Sequence, residues 1–331
     1  MATQDSVQKL PDSSVTREPT PPRQLAFLLL SMRLRSVLRK RSVQGWLLCA
    51  PALLIFGIFF VGPSLLGFAY SFTKWDGVKA FPEFIGFANY RELFSTPRFW
   101  SGLRVNLLLT IGLVFFQLPF SLFLAIGLSK RGTLNTFFRN AFFFPQALSV
   151  TVAALTWRFA FAPTVGLVNK VLEIIGLGDW RMAWLGEKET ALTALTMSFM
   201  WWTFGFFTIL FIAVLSAIPK MFYEALHLET NKWHHELRYV TLPMLRETIL
   251  IAFAMVVSNA FGHALGYVDL LTLGGPAGAT ELLGLYATTT ALYGRQLGLS
   301  SAITYMMLAI VLAAVIGPVL YVARERLEYT E

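Results

Sequence analysis

The sequence predicts an all-α, polytopic membrane protein with six transmembrane helices. Three observations carry that prediction. Hydrophobic residues make up 56% of the 331 residues and charged ones only 14%, against about a quarter charged in a soluble globular chain. The mean hydropathy is +0.60. Apolar runs that reach the roughly 20 helical residues needed to cross a hydrocarbon core fall near 46–72, 103–128, 140–162, 190–218, 247–271 and 299–322. Nothing alternates in polarity over ten-residue segments, as a transmembrane β-barrel would.

Taken in order, residues 1–22, MATQDSVQKLPDSSVTREPTPP, are polar, Pro-rich and poor in large apolar groups. Such a segment cannot bury enough surface to offset its ordering entropy, so a disordered cytoplasmic tail is expected. Residues 23–44, RQLAFLLLSMRLRSVLRKRSVQ, join a short apolar patch to a cluster of Arg and Lys. That composition suits a basic segment at an anionic membrane surface. The charged cluster follows the apolar patch, the reverse of a secretory signal. Residues 45–325 then form the six-helix transmembrane domain. The single cysteine, Cys49, excludes an intramolecular disulfide or a thiolate metal cluster and is expected as buried filler in the first span.

Basic residues flanking the spans give an N-in, C-in orientation, because Lys and Arg are retained on the cytoplasmic side. Arg33, Arg35, Arg39, Lys40 and Arg41 precede the first span; Lys130, Arg131 and Arg139 separate the second and third; Lys220, Lys232, Arg238 and Arg246 separate the fourth and fifth; Arg324 and Arg326 follow the sixth. This bias accounts for the net charge of +8 without a nucleic-acid partner, for which a basic face on a soluble domain is expected. Pro119, Pro145 and Pro318 lie inside apolar runs and are expected to kink or break helices.

One polar stretch interrupts this pattern, EALHLETNKWHHELRYVTLP at 224–243. Phe222, Ala225, Leu226 and Glu229 fall at helical spacing, as do Trp233, Leu237 and Val240. The reading is two short helices, with Thr230 or Asn231 capping the second and Pro243 closing the unit at the start of the next helix. A half-apolar cytoplasmic hairpin with nothing of its own to bury against points to a docked partner.

These residues carry a resemblance. Glu224, Ala225, Val240, Leu242 and Pro243 stand at the spacing of the EAA loop of binding-protein-dependent ABC importer permeases. Leu226 replaces that pattern's second Ala and Thr230 its Gly, where Thr adopts left-handed backbone only at a cost. FIGFANYRELFSTPRFW, FFRNAFFFPQALSVTVAALTWRFAFAPTVGLVN, AWLG, IPKMFYEAL and LTLGGP are similar to the carbohydrate-uptake branch, in particular the first maltose or glycerol-phosphate permease subunit. Before LTLGGP many relatives have an aromatic residue followed by Asp; this chain has Leu265 and Gly266. The resemblance implies a type I ABC importer permease fold and a coupling loop at 219–243 that includes Glu229 and Asn231. It also implies a second permease subunit in a heterodimer, two cytoplasmic ATPase subunits holding ATP and Mg, and an extracytoplasmic solute-binding protein. The chain has no G-x-x-x-x-G-K-[ST] loop of its own, so it is expected to be a transport subunit without a cofactor rather than an enzyme.

Polar and aromatic side chains within the spans are the candidates for a substrate path, because each is costly in lipid and turns to a cavity or a neighbouring helix. They are Asn106, Gln117, Trp201, Trp202, Asn259, His263 and Tyr267. Aromatic faces stack on sugar rings and amides bind hydroxyls, which suits a sugar or polyol. Close helix packing with interhelical hydrogen bonds is the competing explanation for the same residues. His234 and His235 diverge by about 100° on a helix and lack a third ligand nearby, so no metal site is expected. The glycines of LGGPAG at 273–278 read as a turn. The alternative function, an ion- or proton-coupled secondary transporter, needs intramembrane acids, and only Asp269, near a span end, qualifies. A membrane-bound enzyme would need a nucleophile, base and orienting acid, which the sequence does not offer.

Overall fold

The structure is a computed structural model that describes residues 41–130 and 132–328. The tail at 1–22 and most of the basic segment at 23–44 lie outside the described residues. The chain divides into two compact units, Met1–Leu65 and Leu66–Glu331. The first contributes most of helix α1 (41–70), whose span Leu48–Tyr70 has none of its apolar window buried. Cys49 is exposed there, which corrects the expectation of a buried filler.

The second unit is helical apart from a two-stranded antiparallel ribbon, β1 (Thr73–Lys74) and β2 (Glu83–Phe84), with Thr73 opposite Phe84. Short helix α2 (Ala88–Ser95) leads to α3 (Pro97–Leu128). Then follow α4 (Thr133–Ala147), α5 (Val150–Ala160), α6 (Leu167–Ile174), α7 (Lys188–Ala217) and α8 (Lys220–His227). The last three are α9 (Trp233–Leu271), α10 (Leu283–Leu292) and α11 (Leu297–Glu328). Among the described residues, five helices are long and apolar enough to cross a membrane: α1, α3, α7, α9 and α11.

The third expected span, 140–162, is divided between α4 and α5. Helix α4 runs through Pro145 and ends at Ala147, Leu148 and Ser149 are extended, and the Ser149 hydroxyl caps α5 by accepting the Val152 N–H at 3.3 Å. Helix α7 is the centre of the unit, with half of its span window buried. Gly205 on α7 lets the α4 backbone approach, since a Cβ there would lie 2.0 Å from the Phe142 carbonyl oxygen.

Proline also shapes the long helices. Turns widened to π geometry occupy 57–61, 113–117 and 236–241, and each ends two residues before a proline: Pro63, Pro119 and Pro243. Proline lacks an N–H and crowds the carbonyl one turn back; a widened turn relieves the clash and keeps the helix intact. Pro243 therefore does not close off a separate second helix, as the sequence suggested. The helix beginning at Trp233 runs through it as far as Leu271. The expected cap is also different: Lys232 holds the N-cap position without a side-chain bond, and the Thr230 hydroxyl accepts the Lys232 N–H at 3.3 Å. Thr230 is not among the described residues with positive φ, so Thr serves there without strain. The glycine-rich stretch at 273–278 is the expected turn, with Leu273, Gly274, Ala277 and Gly278 all at positive φ.

Candidate functional site

A fourth widened turn, Asn259–His263, lies in the second half of α9 and is followed by no proline within that helix. It opens onto a cavity of about 190 Å³ between α4, α7 and α9. The polar lining comes from Gln146, Thr203, Asn259 and His263, and the aromatic wall includes Trp202 and Phe199. None of the lining residues is Asp, Glu, Lys or Arg. The Gln146 carbonyl oxygen is buried without a hydrogen-bond partner, and a buried, unmatched amide costs about 1–3 kcal/mol.

Of the seven path candidates, Trp202, Asn259 and His263 meet at this cavity. Tyr267 stands behind it, fully buried, stacked on Trp202 at 5.7 Å and edge-on to Phe199 at 5.4 Å. Trp201 instead packs edge-on against Trp157 at 5.7 Å. Asn106 is fully buried, donating to the Ala260 carbonyl at 2.9 Å and accepting the Leu283 N–H at 2.8 Å, which pins α3 to α9 and α10. Gln117, at the end of the widened turn in α3, is buried with both side-chain polar atoms unpartnered. Sequence reasoning missed Gln146, although an amide beside Pro145 in an apolar run satisfies the same test that selected Gln117.

The second candidate region is the hairpin of α8 and the start of α9. Glu224, Ala225, Glu229 and Asn231 are exposed, as are Leu242 and Pro243 on α9, while Thr230 is half-buried. Helix α8 ends at His227, so Glu229 lies beyond it. Apolar residues are bare here too, with Leu228 90% and Met221 65% exposed. Two contacts fix the hairpin angle: His227 Nε2 with Glu236 Oε1 at 2.8 Å, and the Tyr223 hydroxyl with that of Thr241 at 3.3 Å. On α9 the His234 and His235 rings meet edge-on with centroids 4.4 Å apart. No group of three potential metal ligands occurs among the described residues.

Residues 117–328 match the family described as binding-protein-dependent transport system inner membrane component. The chain belongs to that family. It is 31% identical over 279 residues to the probable ABC transporter permease protein YurN of Bacillus subtilis, an alignment covering 84% of this chain and 95% of YurN. It is 30% identical to the trehalose/maltose transport system permease protein MalF of Thermococcus litoralis, over 85% of this chain and 94% of that one. The fold of this permease is shared with a bacterial ABC transporter involved in the import of the acidic polysaccharide alginate. The TM-score is 0.74 at 21% identity, covering 88% of this chain and 99% of the other. The permease is thus a membrane-embedded transport subunit of an ABC importer, without an ATPase site and not an enzyme. The secondary-transporter alternative falls with that assignment, and Asp269, exposed near the end of α9, is left without a relay role.

Proposed function

We propose that this permease carries a neutral sugar or sugar-like solute inward by alternating access, driven by ATP hydrolysed on partner subunits. The carrying observation is the cavity at Asn259 and His263, where amide, hydroxyl and imidazole groups face aromatic walls with no carboxylate, ammonium or guanidinium among them. Hydroxyls pair with such groups and sugar faces pack on rings, whereas an acidic cargo needs cations. Its volume of about 190 Å³ is below the roughly 300–1,000 Å³ of a complete ligand pocket, consistent with one wall of a path shared with a second permease.

In this reading the partner permease completes a heterodimer, a solute-binding protein delivers the cargo from outside, and two ATPases holding ATP and Mg dock below. Both termini of the permease are cytoplasmic. The ATPases meet the hairpin at 219–243, whose exposed Glu224 on α8 and bare Leu228 form the contact. The trehalose/maltose name of the Thermococcus relative supports a saccharide cargo.

Proteoliposomes holding the permease, its partner permease, the ATPases and the binding protein should accumulate neutral mono- or disaccharides in an ATP-dependent manner and ignore uronate oligosaccharides. Uronate uptake without neutral-sugar uptake refutes the cargo class; uptake by this chain alone refutes the mechanism. Glu224→Lys should leave ATP hydrolysis running while uptake stops.

A further inference from the structure

A groove of about 780 Å³ lies between the end of α3, the first half of α4 and the start of α9. Its walls are chiefly apolar and include Leu124, Gly127, Phe138, Trp233 and Leu237. It shares no lining residue with the solute cavity and takes none from α8. Trp233 is 73% and Phe123 72% exposed, so the groove is open on one side.

Four cations adjoin its lining residues along the chain. Lys130 follows α3, and Arg139 donates to the Leu128 and Lys130 carbonyl oxygens. Lys232 adjoins Trp233, and Arg238 adjoins Leu237. None of the four is in a salt bridge among the described residues. The one acid in the lining, Glu236, is already engaged by His227 at 2.8 Å.

Inside a bilayer, an acyl chain gains nothing from mere burial here, because lipid tails are as apolar as leucine. Shape and headgroup charge must select the occupant. Cations beside a slot between membrane helices favour an anionic headgroup, and an exposed Trp at its mouth suits the headgroup level. We propose that this groove binds an anionic phospholipid, with one acyl chain against Leu124 and Phe138 and the phosphate at Lys130 and Lys232.

The test is native mass spectrometry of the full chain, purified with its partner subunits, after equal additions of dioleoyl phosphatidylglycerol and dioleoyl phosphatidylcholine. The unaltered protein should retain the anionic lipid in at least about fivefold excess. Lys130→Gln with Lys232→Gln, both at exposed or half-exposed positions that leave the packing untouched, should bring that ratio towards one without reducing phosphatidylcholine. Gly127→Leu should lower retention of both lipids; a Cβ at Gly127 meets nothing within 4 Å, so the side chain fills the groove without disturbing the helix. Equal retention of the two lipids by the unaltered protein overturns the proposal. So does Gly127→Leu leaving retention unchanged, or releasing the partner permease, which would make the groove a subunit seam.

Discussion

His227 and Glu236 meet at 2.8 Å, Nε2 to Oε1, and tie α8 to the widened turn in the first part of α9. The Tyr223 and Thr241 hydroxyls, 3.3 Å apart, make a second tie to the same turn. A push on α8 would therefore reach the first of the two widened turns in the longest helix. Exposed pairs of this kind contribute only about 0.2–1 kcal/mol, so His227→Ala should leave the fold intact. It should nonetheless slacken the joint: ATP consumed per solute transported should rise several-fold in proteoliposomes, with the thermal midpoint nearly unchanged. An unaltered ratio removes the strut from the coupling path.

Asn106 is predicted to act on stability rather than on cargo. Its amide satisfies the Ala260 carbonyl and the Leu283 N–H inside the bundle. Asn106→Leu strands both groups at about 1–3 kcal/mol each. Thermal unfolding of the detergent-solubilised protein should start at clearly lower temperature, while the order of preference among transported sugars stays the same.

Trp202 should behave in the opposite way. It lines the cavity, stacks on Tyr267 and donates its ring N–H to the Leu148 carbonyl at 3.2 Å. Trp202→Leu keeps an apolar side chain, smaller than the indole, and removes the flat face and the N–H donated to Leu148. Uptake KM for the cargo should rise about tenfold, the loss expected for one aromatic contact of roughly 0.5–1.5 kcal/mol, with ATPase activity in the resting complex unchanged.

Gly205→Ala tests the packing of the divided third span. The added Cβ would lie 2.0 Å from the Phe142 oxygen, 2.7 Å from its carbonyl carbon and 2.9 Å from the Phe143 Cα. These are backbone atoms on a neighbouring helix and cannot rotate away, so α4 and α7 must separate. Overpacking of this type costs about 1–3 kcal/mol or more, to be read as a lower unfolding midpoint and reduced yield of folded protein. A variant as stable as the parent would show that α4 moves freely.

Much of this architecture was legible because membrane solvation is written in composition. A segment that must satisfy its own backbone in lipid has to be helical, so the long apolar runs became α1, α3, α7, α9 and α11. The hairpin at 219–243 was likewise visible, since a polar interruption between two spans has few other uses. What the apolar pattern could not reveal is how helices answer proline. Pro145 lies inside α4, just before the break that divides one span, while Pro119 and Pro243 are absorbed by widened turns. The difference depends on what packs beside each carbonyl, which is a property of neighbours distant in sequence.

The path candidates divide for the same reason. Asn106, Trp202 and Tyr267 are alike on paper, each a polar or aromatic residue in a greasy run. Only the meeting of α4, α7 and α9 turns Trp202 to a cavity, buries Tyr267 behind it and uses Asn106 as a pin. By itself the sequence determined that this chain lives in a bilayer, how it is punctuated and to which family it belongs, because those depend on local transfer energies and spacing. The tertiary structure alone decided which polar groups face open space and which satisfy a neighbouring backbone, because the energy of a buried polar atom is set by the partner it finds and not by its own identity.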